Sequence, residues 1–556
     1  MKALRHEYNV DWSSSLTEKI LKMKLKFCIA FFIVLSTTIN IKAQNITVGS
    51  IDRIEERLRN EQLLGITDSL VSFALRPLSQ SLISKHEVNR EQKLSNAFLI
   101  RSLPIRLTQQ YNTLSPMGWN DGAMIPAKGY QMLLSAGLYT NYGPLSIQLK
   151  PEYVYADNPN FETFPRTENS SVRIAHISYL NYSDLPERFG EKSYQKLFWG
   201  QSSISVAIKK FAIGISTENL WWGPGQRNSL IMSNNAPGFL HFTLNTREPI
   251  TTCIGSFEGQ LISGKLDASG FDSPNADYII DGVNVKIPKQ QDWRYLSGLT
   301  INYQPKWVPG LFIGLNRVFQ VYRNEMGHDF TDYFPVITPF QKKNVKDEEG
   351  KKRDQLASLF LRWVLKESKA ELYFENGWND HSSTLWDLFE SPEHSRAYLI
   401  GFAKIFILNS DKDNYLKFNF ENTQMQQSAD QIVRPAGSWY MHGYVQHGYT
   451  QESQVIGAGI GPGGNSQTLD FSVWNKERVW GVQLERYAHN MDFYYDAYTD
   501  YNNKWVDLNF NTYAYRRFGN IGVQAKLNTA WMRNYQWQLD NNKFNMQVQV
   551  TLEYHL

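Results

Sequence analysis

From Phe544 to Leu556 the chain alternates between apolar and polar residues without a break. Phe544, Met546, Val548, Val550, Leu552, Tyr554 and Leu556 are apolar, and Asn545, Gln547, Gln549, Thr551, Glu553 and His555 stand between them. A period of two puts one face of a strand in an apolar medium and the other in water. The length suits a tilted transmembrane strand, which needs about 9–11 residues. A terminal strand of this kind fits an outer-membrane barrel, whose last strand closes the sheet against the first.

The other end of the chain points to export. Lys22, Lys24 and Lys26 precede an apolar run from Phe27 to Leu35, and Ile41-Lys42-Ala43 offers a cleavage site before Gln44. This is the pattern of a secretory signal peptide, with an apolar core too short for a membrane helix. Residues 1–43 are expected to be the leader. Met23 is the expected start, because residues 1–22 are polar. Cys28 lies in the apolar core and reads as filler.

Removing the leader changes the charge. It holds seven Lys/Arg and three Asp/Glu; taken from 57 and 54, these leave 50 basic and 51 acidic residues, net −1. Nothing in that balance argues for nucleic acid. Only Cys253 remains, so no internal disulfide is expected. Aromatic residues make up 14%, with 30 Tyr and 16 Trp, which fits aromatic girdles at two membrane interfaces. Mean hydropathy is −0.43, and no 18-residue apolar stretch follows the leader. That excludes a helical membrane protein but suits a barrel, where half of each strand faces water.

Residues 44–100 differ from the rest. Ile51, Ile54, Leu58 and Gln62 fall on one helical face, with Arg53, Glu55, Glu56, Arg57 and Arg59 around them. A second, weaker helical pattern covers Asp68 to Leu75. The segment is expected to be a small helical part at the periplasmic mouth, or else a loosely ordered tail. Residues 101–556 read as strands. Ile204, Val206 and Ile208 meet Phe211, Ile213 and Ile215 across Lys209-Lys210. Leu361, Trp363 and Leu365 meet Ala370, Leu372 and Phe374, and Val506 to Ala514 meets Ile521 to Leu527 across a turn at Arg516 to Asn520. Counting back from the terminal strand makes the short turns periplasmic and the long links extracellular. The long links are Asp157 to Lys196, Trp222 to Pro249, Arg323 to Arg353, Trp378 to Arg396 and Gln424 to Ser453. The length supports roughly 16–18 strands. A soluble β-sandwich or propeller is the competing fold, but blade-like repeats are absent.

Several segments resemble the Wzi capsule-assembly family, in its Bacteroidetes type. They are Trp119-Asn120-Asp121-Gly122-Ala123-Met124, Asp184-Leu185-Pro186, Gly200-Gln201-Ser202-Ser203-Ile204, and Glu218-Asn219-Leu220-Trp221-Trp222-Gly223-Pro224-Gly225. This last runs on through Arg227 and Asn228 to Asn235-Ala236-Pro237-Gly238-Phe239. Glu393-His394-Ser395-Arg396-Ala397-Tyr398, Gly448-Tyr449-Thr450 and the glycine run from Gly457 to Gly464 follow. The resemblance implies an all-β transmembrane antiparallel barrel of 18 strands, plugged by its own loops, with a periplasmic helical part. It implies a lectin for capsular polysaccharide in the outer membrane, without catalysis.

The candidate polysaccharide-binding residues are Trp119, Asp121, Trp221, Trp222, Arg227, Asn228 and Arg396. Indole faces stack on the C–H faces of sugar rings, and Arg227 and Asn228 bond hydroxyls or carboxylates. Trp221-Trp222 can equally serve the membrane girdle or a loop plug. Trp119, Asn120 and Asp121 suit a glycan or an Asx-turn. Glu371, Tyr373 and Glu375 point inward; paired carboxylates can hydrolyse glycosides, but polar lumen lining is far commoner. Glu485, Arg486, Asn490 and Asp492, with Tyr494 and Tyr495, suit internal charge pairing. Gly459 to Gly464 matches G-x-G-x-x-G by letter only, since it lacks a βαβ context. His442 and His447 are weak as metal ligands.

The sequence thus predicts a barrel that binds capsular polysaccharide through stacked aromatics and polar groups, with repeats on one polymer strengthening weak sites. Its expected partners are that polysaccharide, outer-membrane lipid and other capsule-export proteins; no cofactor is expected. A porin or nutrient channel is the alternative, and a barrel enzyme a third reading that no residue constellation supports.

Overall fold

A computed structural model describes residues 45–67, 70–79, 98–338, 352–379, 390–408, 411–434, 436–476, 478–500 and 502–556. The expected leader, residues 1–43, lies outside them. Eighteen antiparallel staves close into one barrel. The first six are β1 (Phe98–Asn112), β2 (Gly129–Tyr142), β3 (Leu145–Leu149 and Glu152–Ala156), β4 (Tyr194–Phe198 and Ser203–Ile208), β5 (Phe211–Ser216) and β6 (His241–Thr246 and Ile250–Thr251). Next come β7 (Gly255–Leu266), β8 (Arg294–Pro305), β9 (Leu311–Tyr322), β10 (Asp354–Leu365), β11 (Ala370–Asn379) and β12 (Arg396–Leu408). The last are β13 (Asp411–Gln424), β14 (Asn465–Trp474), β15 (Arg478–Ala488), β16 (Val506–Phe518), β17 (Ile521–Arg533) and β18 (Lys543–Tyr554). The ring closes where β18 pairs with β1, Tyr554 opposite Ile105.

The alternation of β18 has the sense a barrel in lipid requires. Phe544 is 63% exposed and Leu552 40%, whereas Asn545 and Thr551 are 0% exposed. The apolar face looks out to lipid and the polar face into the lumen, the inverse of a soluble core. The hairpins have the predicted partners: Ile208 faces Phe211 and Leu365 faces Ala370. The β16–β17 turn is tighter than expected, because Phe518 pairs with Ile521 and leaves only Gly519-Asn520 to turn. The break in β3 falls at Pro151, which has no N–H to give a ladder.

The long links stand at one end and the short turns at the other, as expected for outer and periplasmic ends. The link predicted from Trp222 to Pro249 is shorter, because β6 occupies its second half. A further long loop, 267–293, follows β7.

A plug occupies one side of the lumen. Residues 217–240 and 438–464 fold inward, and Trp222, Leu230, Ile231, Met232, Trp439 and Tyr440 form an apolar core against Ile262, Leu296, Val318 and Leu356 of the wall. Trp222 is at its centre. Its backbone N–H donates to Met232 O at 3.1 Å, and Nε1 donates to Gln260 Oε1 at 2.9 Å. Trp222→Ala is expected to cost about 3–5 kcal/mol, seen as a lower thermal midpoint in detergent, with Trp307→Ala, exposed on a short turn, as the unaffected control.

Helix α1 (Ile54–Leu63) stands inside the wall at the short-turn end. Ile54 and Leu58 pack on Ile46, Val71, Phe73 and Leu78. Its charged side meets the polar wall: Arg59 Nε lies 2.8 Å from Glu371 Oε1, and Lys417 Nζ 2.9 Å from Glu56 Oε1. The lumen face of a barrel is polar, so a helix lodged there needs a charged side as well as an apolar one. The second helical pattern fails. Asp68 and Ser69 lie outside the described residues, and residues 70–75 are not helical. Leu75–Arg76 instead pairs with Trp221–Trp222. Pro77 disfavours a helical conformation at the residue before it.

Candidate functional site

The loop from Trp221 to Asn228 is held by one carboxylate. Glu421 on β13 accepts backbone N–H groups from Gln226 (2.8 Å), Arg227 (3.0 Å) and Asn228 (2.7 Å), and the Tyr373 hydroxyl at 3.0 Å. The Gly-Pro-Gly turn exists for steric reasons: a Cβ at Gly225 would lie 2.0 Å from Asn228 O. Asn228 is buried, with Nδ2 donating to Thr423 Oγ1 and Ser466 Oγ. Trp221 is buried under the Arg76 guanidinium at 4.4 Å. Trp222 and Asn228, both read as ligand contacts, are therefore parts of the plug. Arg396 stands apart from them. Ala397 and Leu399 are the buried positions of β12, so Arg396 shares the outward face with Tyr398 and Ile400, 5.2 Å from the Tyr398 ring. It belongs to the outer rim.

The remaining candidates, Trp119, Asp121 and Arg227, come together. Arg227 makes a two-pronged pair with Glu485 of β15, Nε to Oε1 and Nη2 to Oε2 both at 3.0 Å, and its guanidinium lies 4.1 Å from the Trp119 ring. A fork-to-fork pair fixes both groups in one plane, and the indole face adds a cation–π contact. Burial opposes the charge on Arg227, but the Glu485 carboxylate holds its pKa above the usual guanidinium range. Gly459 lets the indole in, since a Cβ there would lie 2.5 Å from Trp119 Cβ. The glycine run is thus a packing device within the plug.

Trp119 sits where two cavities meet. Outward is a vestibule of about 350 Å³. Inward, between plug and wall, is a lumen cavity of about 330 Å³ whose lining includes Asp121 and Trp221. Rings line the vestibule as a connected series. Trp119 meets Tyr487 at 5.3 Å, Tyr487 meets His489 at 3.9 Å, and His489 stacks on Trp505 at 3.6 Å with 9° between planes. Trp505 meets Trp537 at 5.1 Å, and Trp537 meets Phe493 at 4.7 Å. Polar groups accompany them: Asp507 accepts Trp505 Nε1 and pairs with His489 Nε2, both at 2.8 Å.

His489, Trp505 and Trp537 were not read from the sequence as site residues. Their signal is the density of rings in the loops after β15 and β17; His489 lies within the cluster that was noticed, and Trp505 and Trp537 lie beyond it. In that cluster Glu485 pairs with Arg227, whereas Arg486 faces outward and donates to Gln467. Glu371 and Glu375 point inward but are engaged within the plug and wall: Glu371 with Arg59 and Arg362, Glu375 with Ser358 and Asn316. His447 is buried against the Tyr322 hydroxyl. Among the described residues no group of three His, Cys, Asp or Glu side chains is placed to hold a metal ion. Cys253 is free and exposed.

Asp492, on the short helix Met491–Ala497 beside the vestibule, accepts Gln427 N–H at 2.8 Å. Burial pushes its pKa from 3.8 up to about 6. A raised carboxyl pKa favours the neutral acid in the fold. Its stabilisation is full below pH 3.8 and is lost as the pH rises through about 6. Asp492→Asn is expected to raise the thermal midpoint at pH 8 and leave it little changed at pH 4.

The family model of capsule assembly protein Wzi matches residues 120–543. The chain belongs to that family. Like its family it is an outer-membrane protein built on a closed barrel. Among solved structures the chain is similar to Wzi of Escherichia coli, described as an outer-membrane protein involved in group 1 capsule assembly and a carbohydrate-binding β-barrel. That likeness has 13% identity, covers 92% of this chain and 100% of the other, and has a TM-score of 0.59. OccAB1 of Acinetobacter baumannii is more distant: 9% identity, 84% and 99% coverage, TM-score 0.39. No curated protein sequence matches the chain.

Proposed function

We propose that this Wzi-family barrel is lectin-like: it binds capsular or extracellular polysaccharide at its outer mouth and helps attach and assemble the capsule at the cell surface. The observation that carries the reading is the ring series from Trp119 through Tyr487, His489 and Trp505 to Trp537, lining an outward cavity beside carboxylates and amides. Ring faces take the apolar faces of sugars, and Asp507, Asn509, Asn511 and Gln536 supply partners for hydroxyls. The carbohydrate-binding description of the Escherichia coli barrel supports the same chemistry. The packed apolar plug argues against a porin, since an open lumen is what a diffusion channel needs.

The test is to delete the gene and measure polysaccharide on cells against polysaccharide in the medium. A shift from bound to free at unchanged total is the expected result. Unchanged partitioning would contradict it.

A further inference from the structure

The plug meets the barrel wall in two different ways. Against β7 to β10 it is dry, with Trp222, Leu230 and Met232 packed on Ile262, Leu296, Val318 and Leu356. Against β14 to β18 and β1 it stands off and leaves the lumen cavity. The wall there is amide-rich: Gln483, Asn511, Gln524, Asn528, Gln547 and Gln549 all line it. An amide both donates and accepts, which matches sugar hydroxyls as no apolar wall does. Half-buried Lys526 lines the same wall, within the electrostatic reach of Asp121. Asp121 faces the cavity from the outer loop, bonded by Gln549 Nε2 at 3.3 Å.

Two further features decide how such a cavity is used. It adjoins the vestibule, since Gly118, Trp119, Arg227, Asn511 and Asn528 line both. At its other end it is floored by the segment from Val48 to Arg53 and by α1. That floor is tied down. Arg53 lies 4.5 Å from the Tyr513 ring, Arg57 Nη1 donates to Asn475 O at 3.4 Å, and Glu56 Oε1 pairs with Lys417 Nζ at 2.9 Å.

A polar recess that meets the vestibule at one end and is floored at the other suits a chain terminus better than the middle of a polymer. We propose that the lumen cavity is a second carbohydrate subsite, which takes the terminal unit of a glycan chain whose following units lie along the vestibule rings. This rests on the polysaccharide-binding reading above and adds to it: capture is end-on, one protein to one polymer end. Asp121 and Lys526 bind the terminal unit's hydroxyls or acidic group, and the amides take the rest.

The experiment uses the full-length protein in detergent and capsular polysaccharide purified from the cells that make it, separated into short and long fractions. Light scattering gives the number of proteins bound per polymer at saturation. End-on capture predicts one per chain in both fractions. A number that rises with chain length would overturn it while leaving polysaccharide binding intact. No binding to either fraction would overturn the parent reading as well. Asn528→Trp, which fills the recess, is expected to weaken binding of the short fraction about tenfold, the loss of a hydrogen-bonded contact or two. Unchanged affinity in a folded Asn528→Trp protein would also overturn the proposal. The stoichiometry needs no variant and decides the matter if Asn528→Trp does not fold.

Discussion

Replacing Glu371 by alanine is expected to loosen the inner end of the lumen and lower stability by about 3–5 kcal/mol, the cost of leaving buried charge unpaired. Glu371 is fully buried on β11 between two guanidiniums, Arg59 of α1 at 2.8 Å and Arg362 of β10 at 2.7 Å. Gln226 of the plug loop donates to it at 3.0 Å. One carboxylate thus joins helix, wall and loop. Its removal leaves two like charges facing each other in a space with little water, and the partner free to move away is α1. The thermal midpoint should fall, and protease should reach the segment before residue 79 first. Conductance across a planar bilayer should rise above that of the wild type. A Glu371→Ala protein as stable and as closed as the wild type would contradict the role given to this triad.

Trp505→Ala is expected to have the largest effect on binding. Trp505 is the branch point of the vestibule series, stacked on His489 at 3.6 Å and meeting both Trp537 at 5.1 Å and Tyr535 at 5.0 Å. Losing a central aromatic anchor typically costs ~2 kcal/mol or more, about thirtyfold in affinity. Asp507 keeps His489 as a partner, so the fold should survive. Titration of the polysaccharide against purified protein reads the change. Wild-type affinity in the folded variant would remove Trp505 from the site.

The barrel was legible because lipid outside and water inside impose a period of two on every stave, and because each tight turn fixes the register of its hairpin. Outward parity also bears on Arg396, which falls in step with Tyr398 and Ile400. The plug was not legible. Trp221-Trp222-Gly-Pro-Gly is the same string whether its rings face sugar, lipid or a packed lumen, and what decides is contact with Gln260 and Arg76 from distant segments. Arg227 finds Glu485 across 258 residues, and Arg59 finds Glu371 across 312. Local pattern holds no record of such pairs. The vestibule was half-read. Trp119 and Arg227 stood out beside their glycines, but His489, Trp505 and Trp537 come together only where three loops converge.

The most direct test of polysaccharide binding at the outer mouth is equilibrium dialysis of the purified protein against the capsular polysaccharide of its own cells. Saturable binding that Trp505→Ala weakens and Trp307→Ala leaves unchanged is the expected result. Absence of saturable binding by the folded wild-type protein would contradict it.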